Sequence, residues 1–238
     1  MNNITYGSGA AMARARDNEQ ARCTVMGCGI HRDGFSNLCA KHRDVQSLRG
    51  HPLATRIQPS EWKQERLEVA ALYAANVGHP GLQRGREYIQ GLFDHHKAGT
   101  HAPRVDAEVR RLIDHGVTPL MVLTEVAAVF TFAQRRNVRI PDTKAEEHLM
   151  SAATLRLAPR PRIVTARSGR YSSNGFPSKP SMAALSYIGK VIRSSLLPVL
   201  VSTYAAVQAK AEQQAIEEAA AYEARHAAFS ITPEAFKP

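Results

Sequence analysis

The sequence predicts a mostly α-helical protein: a multi-helix domain with a small cysteine-rich knuckle near the N-terminus and one short irregular or hairpin segment near residues 160–180. Aromatic residues are only 6% of the chain and alanine is abundant, a balance that suits closely packed helices better than β-sheets. Apolar residues recur at helical spacing, as in Val105, Val109, Leu112 and Ile113, which share one helix face. Apolar residues make up 44% of the chain, enough to bury a sizeable core without help from the knuckle.

The first 59 residues divide into three parts. Residues 1–20 are polar and are expected to form a flexible arm that carries two arginines. They lack the apolar core of a signal peptide. Residues 21–45 contain all three cysteines of the chain, and residues 46–59, with two prolines, are expected to form a linker.

Residues 60–157 are expected to form a helical domain of five helices. Ser60 is a candidate N-cap for the first helix, Thr118 and Pro119 suit the start of the fourth, and Asp142 or Thr143 caps the fifth. The fourth helix is apolar on most sides and is therefore the expected core helix. The expected ranges are about 60–78, 81–97, 104–115, 119–137 and 143–157.

The chain changes character at residues 158–181, which are rich in Pro, Gly and Ser and are expected to form a basic loop or a hairpin with strands at 162–167 and 170–173. Residues 182–228 are expected to return to helix, kinked or interrupted at Pro198. Residues 229–238 form an irregular tail.

The cysteines and one histidine have the spacing Cys23-x4-Cys28-x10-Cys39-x2-His42. An odd number of clustered cysteines beside a histidine favours metal binding over disulfide bonds. Zn²⁺ in structural sites takes four such ligands in a tetrahedron, and each close pair suits one edge of it. His31 is the rival fourth ligand and is otherwise an exposed loop residue. Four protein ligands leave no open coordination position, so zinc catalysis is not expected.

The segment CTVMGCGIHRDGFSNLCAKH resembles the short C-x4-C…C-x2-H zinc modules of bacteriophage and mobile-element proteins. Those modules are similar to treble-clef or zinc-ribbon knuckles, and some accompany HNH endonucleases. The resemblance covers about 20 residues and implies the zinc ligands named above and nothing else.

The net charge of +10 predicts a polyanionic partner, for which we favour nucleic acid, DNA in preference to RNA. Residues 148–211 contain nine Lys or Arg residues and no acidic residue. Arginine suits phosphate, and aromatic rings between arginines can stack on bases. The alternative is a solvated loop, or arginines paired with acidic helices elsewhere. The candidate contacts are Arg156, Arg160, Arg162, Arg167, Arg170, Tyr171, Lys179 and Arg193, with Lys41 and Arg43 in the cysteine module.

Two weaker patterns invite other functions. Residues 105–128 resemble a helix-turn-helix, but the second helix offers few polar residues to read bases, so an ordinary helical hairpin is favoured. The cluster Asp94-His95-His96, near His101, has the histidines of a nuclease without a matching partner pattern. It is interpreted instead as a polar helix end.

The sequence thus predicts a zinc-containing, non-enzymatic nucleic-acid-binding protein that is cytoplasmic and encoded by a phage or mobile element. The apolar stretch Leu196–Val207 is too short to span a membrane. The final helix either binds a protein partner or is a solvated amphipathic end. One alternative function is a structural or interaction protein that binds a host or phage protein, and a second is a divergent HNH-like endonuclease.

Overall fold

The computed structural model describes residues 17, 20–99, 102–138, 140–160, 162–163, 176–177 and 180–229, and in these residues the protein is mostly helical, as predicted. A two-stranded antiparallel pairing joins the last two helices, with Arg162 opposite Pro177 and Ile163 opposite Phe176. The elements are α1 (Ala40–Arg49), α2 (Lys63–Ala75), α3 (Pro80–Ala98), α4 (Pro103–Asp114), α5 (Pro119–Arg135), α6 (Thr143–Leu155), β1 (Arg162–Ile163), β2 (Phe176–Pro177) and α7 (Met182–Phe229).

The expected hairpin is present in part. The observed strands, 162–163 and 176–177, pair with each other. They are shorter than the predicted strands 162–167 and 170–173, and the second begins later in the chain. Residues 164–175, where the predicted strands would meet, lie outside the described residues.

The core forms around α5, the helix predicted to be central. Eleven of its 17 residues are buried, because α2, α3, α6 and α7 all pack against it. The first half of α7 crosses α6 so closely that a Cβ added at Gly189 would lie 2.1 Å from the carbonyl oxygen of Glu147. Only glycine permits this approach.

Two of the three predicted caps are confirmed. Thr118 Oγ1 accepts a hydrogen bond from the N–H of Met121, and an Asp142 carboxylate oxygen accepts one from the N–H of Ala145. The prediction for Ser60 is wrong, since α2 begins at Lys63 after the buried Trp62. The chain turns through residues 59–62 to bury this indole.

The C-terminal helices predicted for residues 182–228 are one helix, and Pro198 does not interrupt it. Buried Leu196 and Leu200 hold the helix against the core on either side of the proline. From residue 209 to residue 226 every residue of α7 is exposed. By length and composition alone α7 would also pass as a membrane span, a test that the core helices of soluble proteins pass too.

Candidate metal centre

The first pair of cysteines lies on a short antiparallel turn of chain. The N–H of Cys23 donates to the carbonyl of Ile30 at 2.9 Å, and an isolated bridge joins Arg22 to His31. Inside this turn the N–H of Cys28 donates to the carbonyl of Val25 at 3.0 Å. The tight reversal needs the positive φ of +79° at Gly27, a conformation that glycine adopts without strain.

The second ligand pair is set by the start of α1. Cys39 is the N-cap residue of this helix, and His42 follows in its first turn. This is the placement that the x2 spacing predicted, because residues three apart lie on the same side of a helical turn. Leu38, Cys23 and Cys39 are buried together and form a small apolar cluster separate from the main core.

The four candidate ligand atoms all lie within 4.8 Å of one another. His42 Nδ1 is 3.4 Å from both Cys23 Sγ and Cys39 Sγ, and Cys28 Sγ is 3.9 Å from Cys39 Sγ. A tetrahedron built on Zn–S bonds near 2.3 Å and Zn–N bonds near 2.05 Å has edges of about 3.8 Å between sulfurs and about 3.6 Å between sulfur and nitrogen. The donor set and its spacing therefore fit a tetrahedral metal ion such as Zn²⁺. His31, the rival ligand, is not part of this group.

The pKa of one of the thiols, Cys23, also favours metal binding. Burial alone would raise the pKa of Cys23. The backbone N–H groups of Cys39 and Val25, with the side chains of His42 and Cys28, outweigh burial and lower that pKa to about 6. At Cys28 the N–H of Ile30 lowers the pKa, but burial and the neighbouring sulfurs outweigh it and the pKa is raised. A metal ion would bind the Cys23 thiolate directly and displace the proton of Cys28.

The module is joined to the helical body through the end of α1. This helix continues to Arg49, into the segment expected to be a linker, and ends at Gly50 with a φ of +80°. A Cβ added at Gly50 would lie 2.5 Å from the carbonyl oxygen of Lys144. The backbone of Gly50 thus packs directly on the first turn of α6.

Three of the arginines predicted to contact nucleic acid form internal ion pairs. Arg160 pairs with Glu108 at 2.8 Å, and Arg193 pairs with Glu146 at 2.5 Å. Arg156 pairs with Glu125 at 3.5 Å and lies over the ring of Trp62, 4.5 Å from its centroid. These three side chains therefore make the contacts that were the alternative to nucleic-acid binding, in which arginines pair with acidic residues of other helices.

The remaining predicted contacts fall into two groups. Lys41 is exposed on α1, and Arg43 forms an ion pair with Asp33. Arg162 is described only as a residue of β1. Outside the described residues lie Arg167, Arg170, Tyr171 and Lys179.

Sequence reasoning missed a buried carboxylate at the centre of the body. Glu125 of α5 accepts hydrogen bonds from the indole N–H of Trp62 at 3.0 Å and from the guanidinium of Arg66 at 2.6 and 2.8 Å. Arg156 lies 3.5 Å from the same carboxylate. Glu125 interrupts an apolar run in the sequence, and this was the one signal available there.

The described part of the histidine cluster, Asp94-His95-His96, does not form an open site, and His101 lies outside the described residues. His96 is buried, and its Nδ1 lies 2.7 Å from a carboxylate oxygen of Asp106, which is buried as well. Tyr187 and His95 pack edge-on against its ring. Both histidines lie in the last turn of α3, as the interpretation of a polar helix end expects, but only His95 is exposed, whereas His96 links α3 to α4 inside the protein.

The helix pair α4–α5 also lacks the surface of a helix-turn-helix. The two helices are bent by 107° at the break between them, an angle within the range of that motif. However, α5 is buried along most of its length, so it has no face that could enter a DNA groove.

No protein-family model matches this chain, and no curated protein or solved structure matches it significantly. Its function is therefore inferred from its own residues and contacts.

Proposed function

We propose that this protein is a non-enzymatic nucleic-acid-binding protein whose N-terminal module is held by one zinc ion. The observation that supports this most directly is an exposed aromatic ring on the metal-binding module, bracketed by arginines. Phe35 is 69% exposed at the tip of the loop between the two ligand pairs. A ring in that position would stack on an unpaired base.

The contacts at both ends of this loop hold cationic groups at the two ends of the segment that carries the ring. Asp33, at one end, forms an ion pair with Arg43. Asn37, at the other end, accepts a hydrogen bond from Arg32 at 3.4 Å. Guanidinium groups at this position would contact phosphates on either side of a stacked base.

The charge of the module agrees with this role. Residues 20–57 contain six Lys or Arg residues and two acidic residues. Ile30 and Met26, which precede Phe35 in the same module, are also exposed, 57% and 100% respectively. Apolar side chains among cations form the mixed surface that single-stranded nucleic acid requires.

The role proposed for the metal is structural. Four protein ligands fill a tetrahedron, and two of them, Cys23 and Cys39, are buried. A metal held in this way fixes the loop that carries Phe35 and has no position for a substrate. The resemblance of the module extends the proposal to a cytoplasmic protein encoded by a phage or mobile element, with DNA as the preferred partner.

The test compares matched variants by fluorescence anisotropy with labelled single-stranded DNA, duplex DNA and RNA between 50 and 200 mM salt. We expect binding that weakens steeply with salt, because phosphate contacts release counterions. Phe35→Ala is expected to weaken single-strand binding by about ten-fold, from the loss of one stacked base. Tyr222→Ala, which removes another exposed aromatic ring on α7, is the control.

Three results would contradict the proposal. The first is the absence of binding at low salt, and the second is affinity that does not change with salt. The third is equal loss in both variants, which would make Phe35 an ordinary surface ring.

The exposed end of α7 favours a second candidate function, binding of a protein partner. Residues 209–226 are exposed throughout and include Ile216 and Tyr222, each more than 60% exposed. A second copy of the chain is the partner that is tested most simply. Light scattering should show an oligomer that Ile216→Glu dissociates, whereas a monomer at high concentration would exclude self-association.

A further inference from the structure

A cleft of about 360 Å³ lies where the end of α1 meets the body. One wall is formed by α1 and the segment after it, and the other by α6 and the segment before it. The walls are mainly apolar, with Leu48 and Ile57 on one side and Val138, Ile140 and Leu149 on the other. Its volume is at the lower end of the range for ligand pockets, about 300–1,000 Å³.

Two arginines line this cleft without a carboxylate to balance them. Arg49 donates one hydrogen bond to the carbonyl of Ala54 at 3.0 Å, and Arg56 is exposed. Within the described part of the chain, neither forms an ion pair. Burial lowers the pKa of Arg49, and the nearby charge of Arg56 lowers it further. The two guanidinium groups therefore destabilise each other, and an anion between them would relieve this repulsion.

A third polar group lines the cleft from α6. His148 is only 1% exposed, and neither of its ring nitrogens makes a hydrogen bond of good geometry in the described residues, although the Leu48 carbonyl lies close enough to act on its pKa. Burial lowers the pKa of His148, and the charge of Lys144 lowers it further. The Leu48 carbonyl and Asp142 act in the opposite direction but do not outweigh these two effects. A neutral imidazole offers one donor and one acceptor. A buried polar group without a well-formed hydrogen bond lowers stability, so His148 at the wall of this cleft has donor and acceptor capacity left for a ligand.

We propose that this cleft binds a nucleotide-sized phosphomonoester. The phosphate lies between Arg49 and Arg56, the apolar walls enclose the ring, and His148 hydrogen-bonds to a polar atom of that ring. A dianionic phosphate suits two guanidinium groups better than a single carboxylate does, because each planar group donates two parallel hydrogen bonds. Exposed Arg56 places the phosphate at the open end, and buried His148 places the ring at the closed end.

This site does not rest on the proposed nucleic-acid surface around Phe35. The phosphomonoester has two possible sources: a free nucleoside monophosphate, or the terminal nucleotide of a strand that carries a 5′-phosphate. Both present the same chemistry to the cleft, and the experiment separates them.

Isothermal titration calorimetry on the full chain tests the proposal. The probes are AMP, CMP, GMP and UMP, inorganic phosphate, and one short oligonucleotide with and without a 5′-phosphate. The variants are Arg56→Gln and His148→Leu. The control is Arg86→Gln, which removes one charge from an exposed position on α3.

We expect one site per chain and weaker binding of inorganic phosphate than of a nucleotide. Arg56→Gln should lower the affinity for the nucleotide by about ten-fold to hundred-fold, the range for one charge-assisted hydrogen bond. Arg86→Gln should bind as the wild type does. His148→Leu should weaken nucleotide binding and yet raise Tm, since it removes from the interior a polar group that lacks a well-formed hydrogen bond. This combination distinguishes a ligand contact from a merely structural histidine.

If only the phosphorylated oligonucleotide binds more weakly to Arg56→Gln, the site takes the 5′ ends of strands. If the free nucleotides lose affinity to the same extent, the site takes free nucleoside monophosphates. The proposal is overturned if no probe shows Arg56-dependent binding, or if Arg86→Gln reduces binding as much as Arg56→Gln. Failure of the cleft proposal would not affect the proposed nucleic-acid binding through Phe35. Failure of the Phe35 proposal would likewise not affect the cleft.

Discussion

Removal of zinc should unfold the N-terminal module and leave the helical body intact. The perturbation is a chelator at neutral pH, with Cys39→Ala as its genetic counterpart. Cys39 is the N-cap residue of α1, but its side chain makes no capping hydrogen bond. Alanine at this position therefore removes a metal ligand without removing a cap.

The size of the effect follows from how little else holds the module. Its apolar cluster contains three buried residues, Cys23, Leu38 and Cys39. Complete burial of a large apolar side chain contributes about 1.5–3 kcal/mol, whereas structural Zn²⁺ contributes about 10–16 kcal/mol in zinc-finger peptides at pH 7. A bound zinc ion would thus be the dominant stabilising term of the module. The body has its own core, which shares no residue with this cluster.

The protein carries its own reporter for the body. Trp62 is the single tryptophan, and it is buried against Phe132 and Arg156. Elemental analysis should find about one zinc per chain. Chelation should abolish amide-exchange protection at Cys23 and Cys28, with little change in Trp62 fluorescence. Helical circular dichroism should fall only slightly, since α1 has 10 residues and α7 alone has 48.

Two outcomes would refute this reasoning. Protein purified without chelator that contains no stoichiometric metal would remove the metal from the account. A large red shift of Trp62 emission on chelation would show that the body depends on the module, contrary to the separate cores.

Three further predictions concern the body and are measured by urea or thermal unfolding. Glu125→Gln should lower stability by about 2–3 kcal/mol, less than the 3–5 kcal/mol of a fully buried pair because Arg66 and Arg156 stay about a third exposed; an unchanged midpoint would contradict it. Gly189→Ala should lower stability by about 2 kcal/mol through its clash with Glu147, whereas Gly91→Ala, with open space around it, should raise stability by up to about 1 kcal/mol. Because burial lowers the folded-state pKa of His148 below 6.5, the unfolded chain binds a proton first, so stability falls as pH drops below about 6.5. His148→Leu should flatten that dependence, and an unchanged slope would argue against a neutral buried imidazole.

The features predicted well from the sequence are those with local causes. The caps at Thr118 and Asp142 were predictable because each side chain bonds to a backbone N–H three residues away. The apolar excess of α5 was visible in a single stretch of sequence. The misplaced start of α2 has a distant cause, the burial of Trp62 against Glu125, and no local pattern indicates it.

The predicted arginine contacts show the same difference between local and distant causes. The absence of acidic residues from 148 to 211 is a property of sequence, but the partners of these arginines come from other parts of the chain. Arg160 finds Glu108 across 52 positions, and Arg193 finds Glu146 across 47. A segment without acidic residues can therefore still have part of its charge balanced in the fold.

The sequence by itself determined the metal-binding group, because four ligands within 20 residues need only a turn and the start of a helix to meet. It also determined the helical class, through local periodicity and capping. The tertiary structure alone decided which charges remain exposed, that His96 and His148 are buried, and that a cleft lined by two arginines lies between α1 and α6. These features arise from contacts between residues far apart in the chain, which form only when the helices pack.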